Sequence, residues 1–240
     1  MSTLCRLKDK VHRFQKIFVS LHRISYNDNH IKTHCYMEHV YFKPWVGKDY
    51  QTGGIFKKRI LAVGEGHVCG GCDRCGIKYS PECEDLTTSK VVNEYLTGCG
   101  GKWTSTYRKF ERSLVNKETT IEESNEIWQS IAFFEFLQVA MDDSRKAGTY
   151  EDYMEGQEAF IEVIEDLQPE LIIVWGVSRL FFYLPDESWS EGDSLIIDGY
   201  DVKNGYYQLK NGREARCIAV YHPSAGYSWD RWYKVISSQL

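Results

Sequence analysis

The chain has 240 residues, which is long enough to bury a substantial core as one α/β unit with elaborations. Hydrophobic residues make up 42% and charged residues 26%, and these ordinary proportions argue against extended disorder. The formal net charge of -5 excludes the basic excess that drives sequence-blind binding to phosphate backbones, so any contact with nucleic acid must be local.

The start of the chain, Met1-Ser2-Thr3, lacks a long apolar region, and no later stretch approaches the length of a membrane span. We therefore expect a cytoplasmic protein with no membrane partner. Its eight cysteines are then expected to be reduced and buried, or bound to a metal.

Residues 1–58 are interpreted as a helical and irregular lead-in to an α/β domain that occupies residues 59–240. Apolar residues at helical spacing between Val11 and Leu21 predict a helix in this lead-in. Trp45 follows Pro44, and it either packs within a turn or borders a ligand pocket.

Four short apolar runs predict strands that are buried on both faces, as in a parallel sheet. These strands cover residues 59–64, 131–136, 171–176 and 217–221. Helical spacing between them predicts helices over residues 85–96, 103–115, 122–130, 150–168, 177–184 and 232–240. The polar stretch 186–212 is read as an insertion that contains a hairpin.

The alternation of strands and helices predicts a three-layer α/β/α fold with a central, mostly parallel four-stranded sheet. Sheets of this kind bind ligands beyond the carboxyl ends of their strands. Polar residues stand at these ends in two short motifs, Gly64-Glu65-Gly66-His67 and His222-Pro223-Ser224. The glycine lets the backbone approach a ligand closely, and the proline fixes the backbone beside the histidine.

The pair of motifs resembles the uracil-DNA glycosylase superfamily, over roughly residues 40 to 240. The resemblance implies a DNA partner, single- or double-stranded, from which a nucleotide is flipped into the pocket before its N-glycosidic bond is hydrolysed. It assigns catalysis to His222 and Glu65. It assigns base or sugar binding to Gly64, Gly66, His67, Glu135, Phe136 and Ser224.

Two residues depart from the pattern of that superfamily. Gly66 stands where several active members carry Asp or Asn to activate water. Glu135 stands where a base-reading Asn usually ends the second strand, and an ionised carboxylate offers acceptors only. Glu135 either accepts a hydrogen bond from the amine of a base other than uracil or points to solvent at the end of the strand.

Four cysteines lie in the short loop 67–83, at Cys69, Cys72, Cys75 and Cys83. Two-residue gaps let thiolates converge on one ion, which predicts a structural metal, either zinc or an iron-sulfur cluster. The alternative is a reduced loop whose cysteines pack as small hydrophobes. No organic cofactor is expected.

Two other classes of function compete with a glycosylase. A non-catalytic module would use the same pocket to hold a nucleotide, a nucleic acid or a protein, and the residues at Gly66 and Glu135 favour it. A metal-dependent hydrolase built around His67 is less consistent with the chain, which shows no second set of ligands.

Overall fold

The computed structural model of the chain describes residues 37–69 and 86–240. The helix expected near Val11 and the loop cysteines Cys72, Cys75 and Cys83 lie outside these ranges. Within them, no helix is both long enough and apolar enough to cross a membrane.

The described residues form a mixed α/β structure around a seven-stranded sheet. The strands of this sheet are β1 (Trp45–Val46), β2 (Ile60–Gly64), β3 (Ile131–Glu135), β4 (Leu171–Trp175), β5 (Trp189–Glu191), β8 (Asn204–Gln208) and β9 (Glu214–Val220). A separate small hairpin pairs β6 (Ile196–Ile197) with β7 (Tyr200–Asp201). The helices are α1 (Thr88–Leu96), α2 (Thr104–Val115), α3 (Ile121–Gln129), α4 (Tyr150–Leu167) and α5 (Trp229–Ser237).

The four predicted strands form the centre of the sheet in the order β3-β2-β4-β9, and neighbouring strands in this set are parallel. The prediction of only four strands was wrong, because β1 adds to one edge and β8 with β5 to the other, all antiparallel. These added strands are short or partly exposed, so they lack the continuous apolar run that marks the central four.

Alternate residues of the central strands enter two separate hydrophobic cores, as the two-residue period of a strand requires. In β2, for example, Leu61 and Val63 join the core that contains α4. Ile60 and Ala62 join the core built with α1, α2, α3 and α5. The central strands are therefore covered along their length, and polar side chains can reach a cleft only where the strands end.

Capping residues explain where several helices begin. Thr87 caps α1, and a reciprocal capping box starts both α3, at Thr120, and α4, at Thr149. The helix predicted over residues 177–184 is wrong, because this segment forms only a 3-10 turn at Leu180–Tyr183. Only eight residues separate Gly176 from Pro185, and a helix of so few residues is marginal without further support.

Candidate functional site

A cleft of about 870 Å³ opens where β2, β3, β4 and β9 end. Because these strands are parallel, their carboxyl ends meet at one edge of the sheet, and residues that are distant in sequence come together there. Seven of the predicted site residues line this cleft: Gly64, Glu65, Gly66, His67, Glu135, His222 and Ser224.

Phe136, the eighth predicted residue, does not line the cleft. Its ring is fully buried in the core beside Phe160, with 5.9 Å between the ring centroids. It also covers Gly156 so closely that a Cβ there would lie 2.6 Å from the ring. The structure therefore gives Phe136 a packing role, and the prediction that it binds the base or sugar was wrong.

His222 is oriented by its own loop. The backbone N–H of Ser224 lies 3.2 Å from His222 Nδ1, and the Ser224 hydroxyl lies 2.7 Å from the same atom. Since a backbone N–H can only donate, Nδ1 must accept, and the proton of the neutral ring is then on Nε2. Burial lowers the pKa of His222, which favours this neutral form. The Nε2–H is left as a donor for a ligand.

Glu65 has both of its carboxylate oxygens engaged. Arg179 donates to Oε2 at 2.5 Å, and the hydroxyl of Tyr153 donates to Oε1. Tyr153 is itself held by a parallel stack on Tyr183, with 3.7 Å between the ring centroids. Glu65 is therefore a positioned anion whose charge is partly balanced by the Arg179 guanidinium.

Sequence reasoning missed Arg179, whose side chain also lines the cleft. It lies in the segment that we predicted as a helix, and 114 positions separate it from its partner. The one signal in the sequence was its place just beyond a buried strand that ends in glycine, where ligand-binding residues collect.

Glu135 does not point to solvent, since it is 6% exposed and lies against the backbone of Gly64. Burial, and to a lesser extent the neighbouring Glu65, raises the pKa of Glu135 to about 8. His67 Nδ1 lies 4.0 Å from Glu135 Oε1, which is too long for a hydrogen bond. Burial lowers the pKa of His67 to about 4, so the two groups face each other uncharged at neutral pH.

His67 is fixed from its other side by a contact of 3.0 Å between Nε2 and the hydroxyl of Thr88. Its ring also meets Phe42 edge to face, with 4.9 Å between centroids. Thr88 and Phe42 hold the ring of His67 in place, so His67 contributes a fixed side of the cleft. No cluster of three or more potential metal ligands occurs in the described ranges.

Aromatic side chains that sequence analysis did not select form another wall of the cleft. Trp103 and Tyr107 are one turn apart at the start of α2, with ring centroids 5.3 Å apart, and Tyr107 meets Trp175 at 5.8 Å. Trp103 is 37% exposed at the rim. Trp45, for which a place beside a ligand pocket was one alternative, does not line this cleft, and its Nε1 donates to the backbone carbonyl of Trp128.

The rim of the cleft also carries cationic side chains, Lys102, Arg145 and Lys146. Lys146 pairs with Asp142 at 2.6 Å on the surface. Acidic side chains, Glu94 and Asp143, line the same cleft, so its lining carries charges of both signs.

Cys69 is the one predicted metal ligand that falls within the described residues. It is buried in a small cluster with Phe42 and Ala140, and its backbone N–H donates to the carbonyl of Met141 at 2.8 Å. The other three cysteines of the set lie outside the described residues, so the metal site stays a prediction.

In comparisons with known proteins, no family model matches the chain, and no curated protein matches it.

Proposed function

We propose that this chain is a cytoplasmic DNA glycosylase-like protein, on a three-layer fold like that of the uracil-DNA glycosylase superfamily, which binds a flipped nucleobase and hydrolyses its N-glycosidic bond. The observation that carries the proposal is the orientation of His222. Its Nδ1 is occupied by Ser224, so an Nε2–H donor remains at the end of β9, in the same cleft as Glu65.

His222 acts on the departing base. When the bond between the base nitrogen and the sugar breaks, its electron pair moves onto the base, and negative charge develops on a base carbonyl oxygen. A fixed N–H donor aimed at this oxygen stabilises the transition state more than the ground state. Burial, which lowers the pKa of His222, keeps the imidazole neutral, so it donates without first having to lose a proton.

Glu65 acts on the sugar. The sugar becomes oxocarbenium-like as the base leaves, and a nearby carboxylate stabilises this positive charge. Because both oxygens of Glu65 already accept hydrogen bonds from Arg179 and Tyr153, the group is better suited to electrostatic stabilisation and to orienting water than to removing a proton. Water then bonds to the anomeric carbon, and its released proton is balanced by protonation of the departing base.

The wall formed by Trp103 and Tyr107 supports the binding of a planar ligand. Aromatic rings stack on nucleobases with little dependence on sequence, at about 1 to 3 kcal/mol for each base. Lys102 and Arg145 line the same cleft, and in this proposal they bind the phosphates on either side of a flipped nucleotide.

A non-catalytic nucleobase-binding module is the second candidate, and Gly66 favours it. This position lines the cleft but has no side chain, so it supplies no group that activates water. Such a module would bind the same base without releasing it.

Single-turnover base release tests the proposal. Single- and double-stranded oligonucleotides carrying uracil, hypoxanthine or xanthine are incubated with wild type and with His222→Ala. We expect release by wild type and a loss of about a hundred- to a thousandfold in the variant, as for removal of an oxyanion donor.

The matched control is His39→Ala, because His39 is a histidine that pairs with Glu158 and Glu162 on α4 and does not line the cleft. It should leave release within about twofold of wild type. Equal losses in the two histidine variants would argue against catalysis by His222. Binding by wild type without any release would favour the non-catalytic module.

A further inference from the structure

The carboxyl group of Glu135 lines the cleft with its hydrogen-bonding capacity unused. Its side chain is 8% exposed, so solvent reaches it poorly. No hydrogen bond to its carboxyl oxygens comes from any side chain or backbone group within residues 37–69 and 86–240, and His67 Nδ1 lies 4.0 Å from Oε1. A buried polar group without a partner is costly, and a catalytic role or a bound molecule is a common reason for keeping one.

The groups around Glu135 also leave it without a counter-charge. Glu65, which follows Gly64 at the end of the neighbouring strand β2, is an anion and repels a second negative charge. Arg179 pairs with Glu65 through Nη2 at 2.5 Å, and the phenol of Tyr107 on α2 carries no positive charge. Burial beside an anion therefore favours the protonated acid, in agreement with the direction of its pKa shift.

We propose that Glu135 binds the ligand as an uncharged carboxylic acid, whose O–H donor and C=O acceptor together recognise a base edge that presents an N–H next to a carbonyl. The inference rests on the proposed function and deepens it, because it names the chemical class of the ligand. Lactam bases such as uracil, hypoxanthine and xanthine carry this edge.

The uncharged form of Glu135 supplies the hydrogen-bond donor that an ionised carboxylate lacks. An ionised carboxylate has acceptors only, and it would meet the carbonyl oxygen of a lactam edge with like charge. The protonated acid offers one donor and one acceptor, the same complement as the side-chain amide of Asn or Gln. Recognition of a lactam edge should therefore be lost as Glu135 ionises, that is, as the pH rises through about 8.

Glu135→Gln tests this directly, because a glutamine amide offers a donor and an acceptor at every pH. The ligand is a single-stranded oligonucleotide with one carbocyclic uracil nucleoside, which cannot be cleaved. Wild type should lose about tenfold or more in affinity between about pH 6.5 and pH 9.5, whereas Glu135→Gln should stay within about threefold across that range. Glu135→Ala should bind weakly throughout.

A second oligonucleotide isolates the recognised edge. It carries uracil methylated on the ring nitrogen between the two carbonyls, which removes the N–H and leaves the carbonyls. Wild type should bind this oligonucleotide about a hundredfold more weakly than the unmethylated one, because a buried acceptor is left without its donor.

NMR of carboxyl-labelled glutamate supplies a readout that needs no ligand. One signal that titrates near pH 8 and is missing from Glu135→Gln would support the uncharged acid. If wild type bound the uracil oligonucleotide equally well at every pH and Glu135→Gln bound it much more weakly at low pH, the inference would be overturned. Base binding in the cleft would still stand. Absence of binding by wild type at every pH would overturn the proposed function and this inference together.

Discussion

Glu111 and Glu135 are both buried glutamates, but they differ in the number of hydrogen bonds that their carboxyl groups accept. The carboxylate of Glu111, on α2, is 0% exposed and accepts hydrogen bonds from four side chains. These donors are Tyr95, Thr119, Ser124 and Trp128. Glu135, at the end of β3, is 6% exposed and accepts none from the described part of the chain. A buried carboxylate whose partners are all internal supports the fold, whereas one without partners is available to a ligand.

The donors to Glu111 come from the elements around α2. The Tyr95 hydroxyl on α1 lies 2.7 Å from Glu111, and the indole N–H of Trp128 on α3 lies 3.0 Å away. One side chain thus joins three helices in the same core. A hydrogen-bond network of this kind, in which every member has a partner, is strong in a low-dielectric interior. Removal of the central carboxylate breaks all of its hydrogen bonds at once.

The largest effect that we expect is on stability, from Glu111→Ala. The substitution leaves three buried donors and the half-buried hydroxyl of Thr119 without their acceptor, so it should lower the free energy of unfolding by about 4 kcal/mol. Urea denaturation followed by tryptophan fluorescence measures this loss.

Glu118→Ala is the matched control, because Glu118 is an exposed glutamate that pairs with Arg112 at 3.4 Å. Its removal should cost less than about 1 kcal/mol. If Glu111→Ala were no more destabilising than Glu118→Ala, the structural role of Glu111 would be refuted.

An effect of similar size and opposite sign is expected from Glu135→Gln. In the unfolded chain Glu135 ionises near its ordinary value of 4.5, whereas in the folded protein its pKa is about 8. Between these values the unfolded state has released the proton and the native state still holds it, so wild type loses stability as the pH rises through this window. A glutamine at this position does not ionise, so the variant does not lose stability in this pH window.

Glu135→Gln should therefore come close to wild type near pH 4.5 and become more stable than it by roughly 4 kcal/mol near pH 8, with little further gain above that pH. Chemical denaturation across this pH range measures the difference. A constant difference between the two proteins would mean that Glu135 ionises normally in the folded state.

The sequence was sufficient to predict the central sheet, because strands buried on both faces must be apolar along their length. Ile60–Gly64 and Leu171–Trp175 match their predicted strands closely for this reason. The edge strands escaped prediction because pairing with a neighbour, rather than an apolar run, defines them. Trp45–Val46, for example, is a strand only by virtue of its pairing with β3.

The position of the cleft was also predictable, since parallel strands bring their carboxyl ends together. The chemical state of the residues there was not. Sequence alone gives Glu135 as a carboxylate, and only its burial beside Glu65 and its lack of donors favour the neutral acid. The contact between Glu65 and Arg179 likewise depends on a turn after β4 that the sequence suggested was helical.

The most direct test of the central claim is a crystal structure of the protein bound to a single-stranded oligonucleotide that carries one carbocyclic uracil nucleoside. We predict that the base lies in the cleft, with a carbonyl oxygen at hydrogen-bonding distance from Nε2 of His222 and its N–H and carbonyl edge against Glu135. An oligonucleotide bound with its uracil outside the cleft, or turned away from His222, would contradict the account.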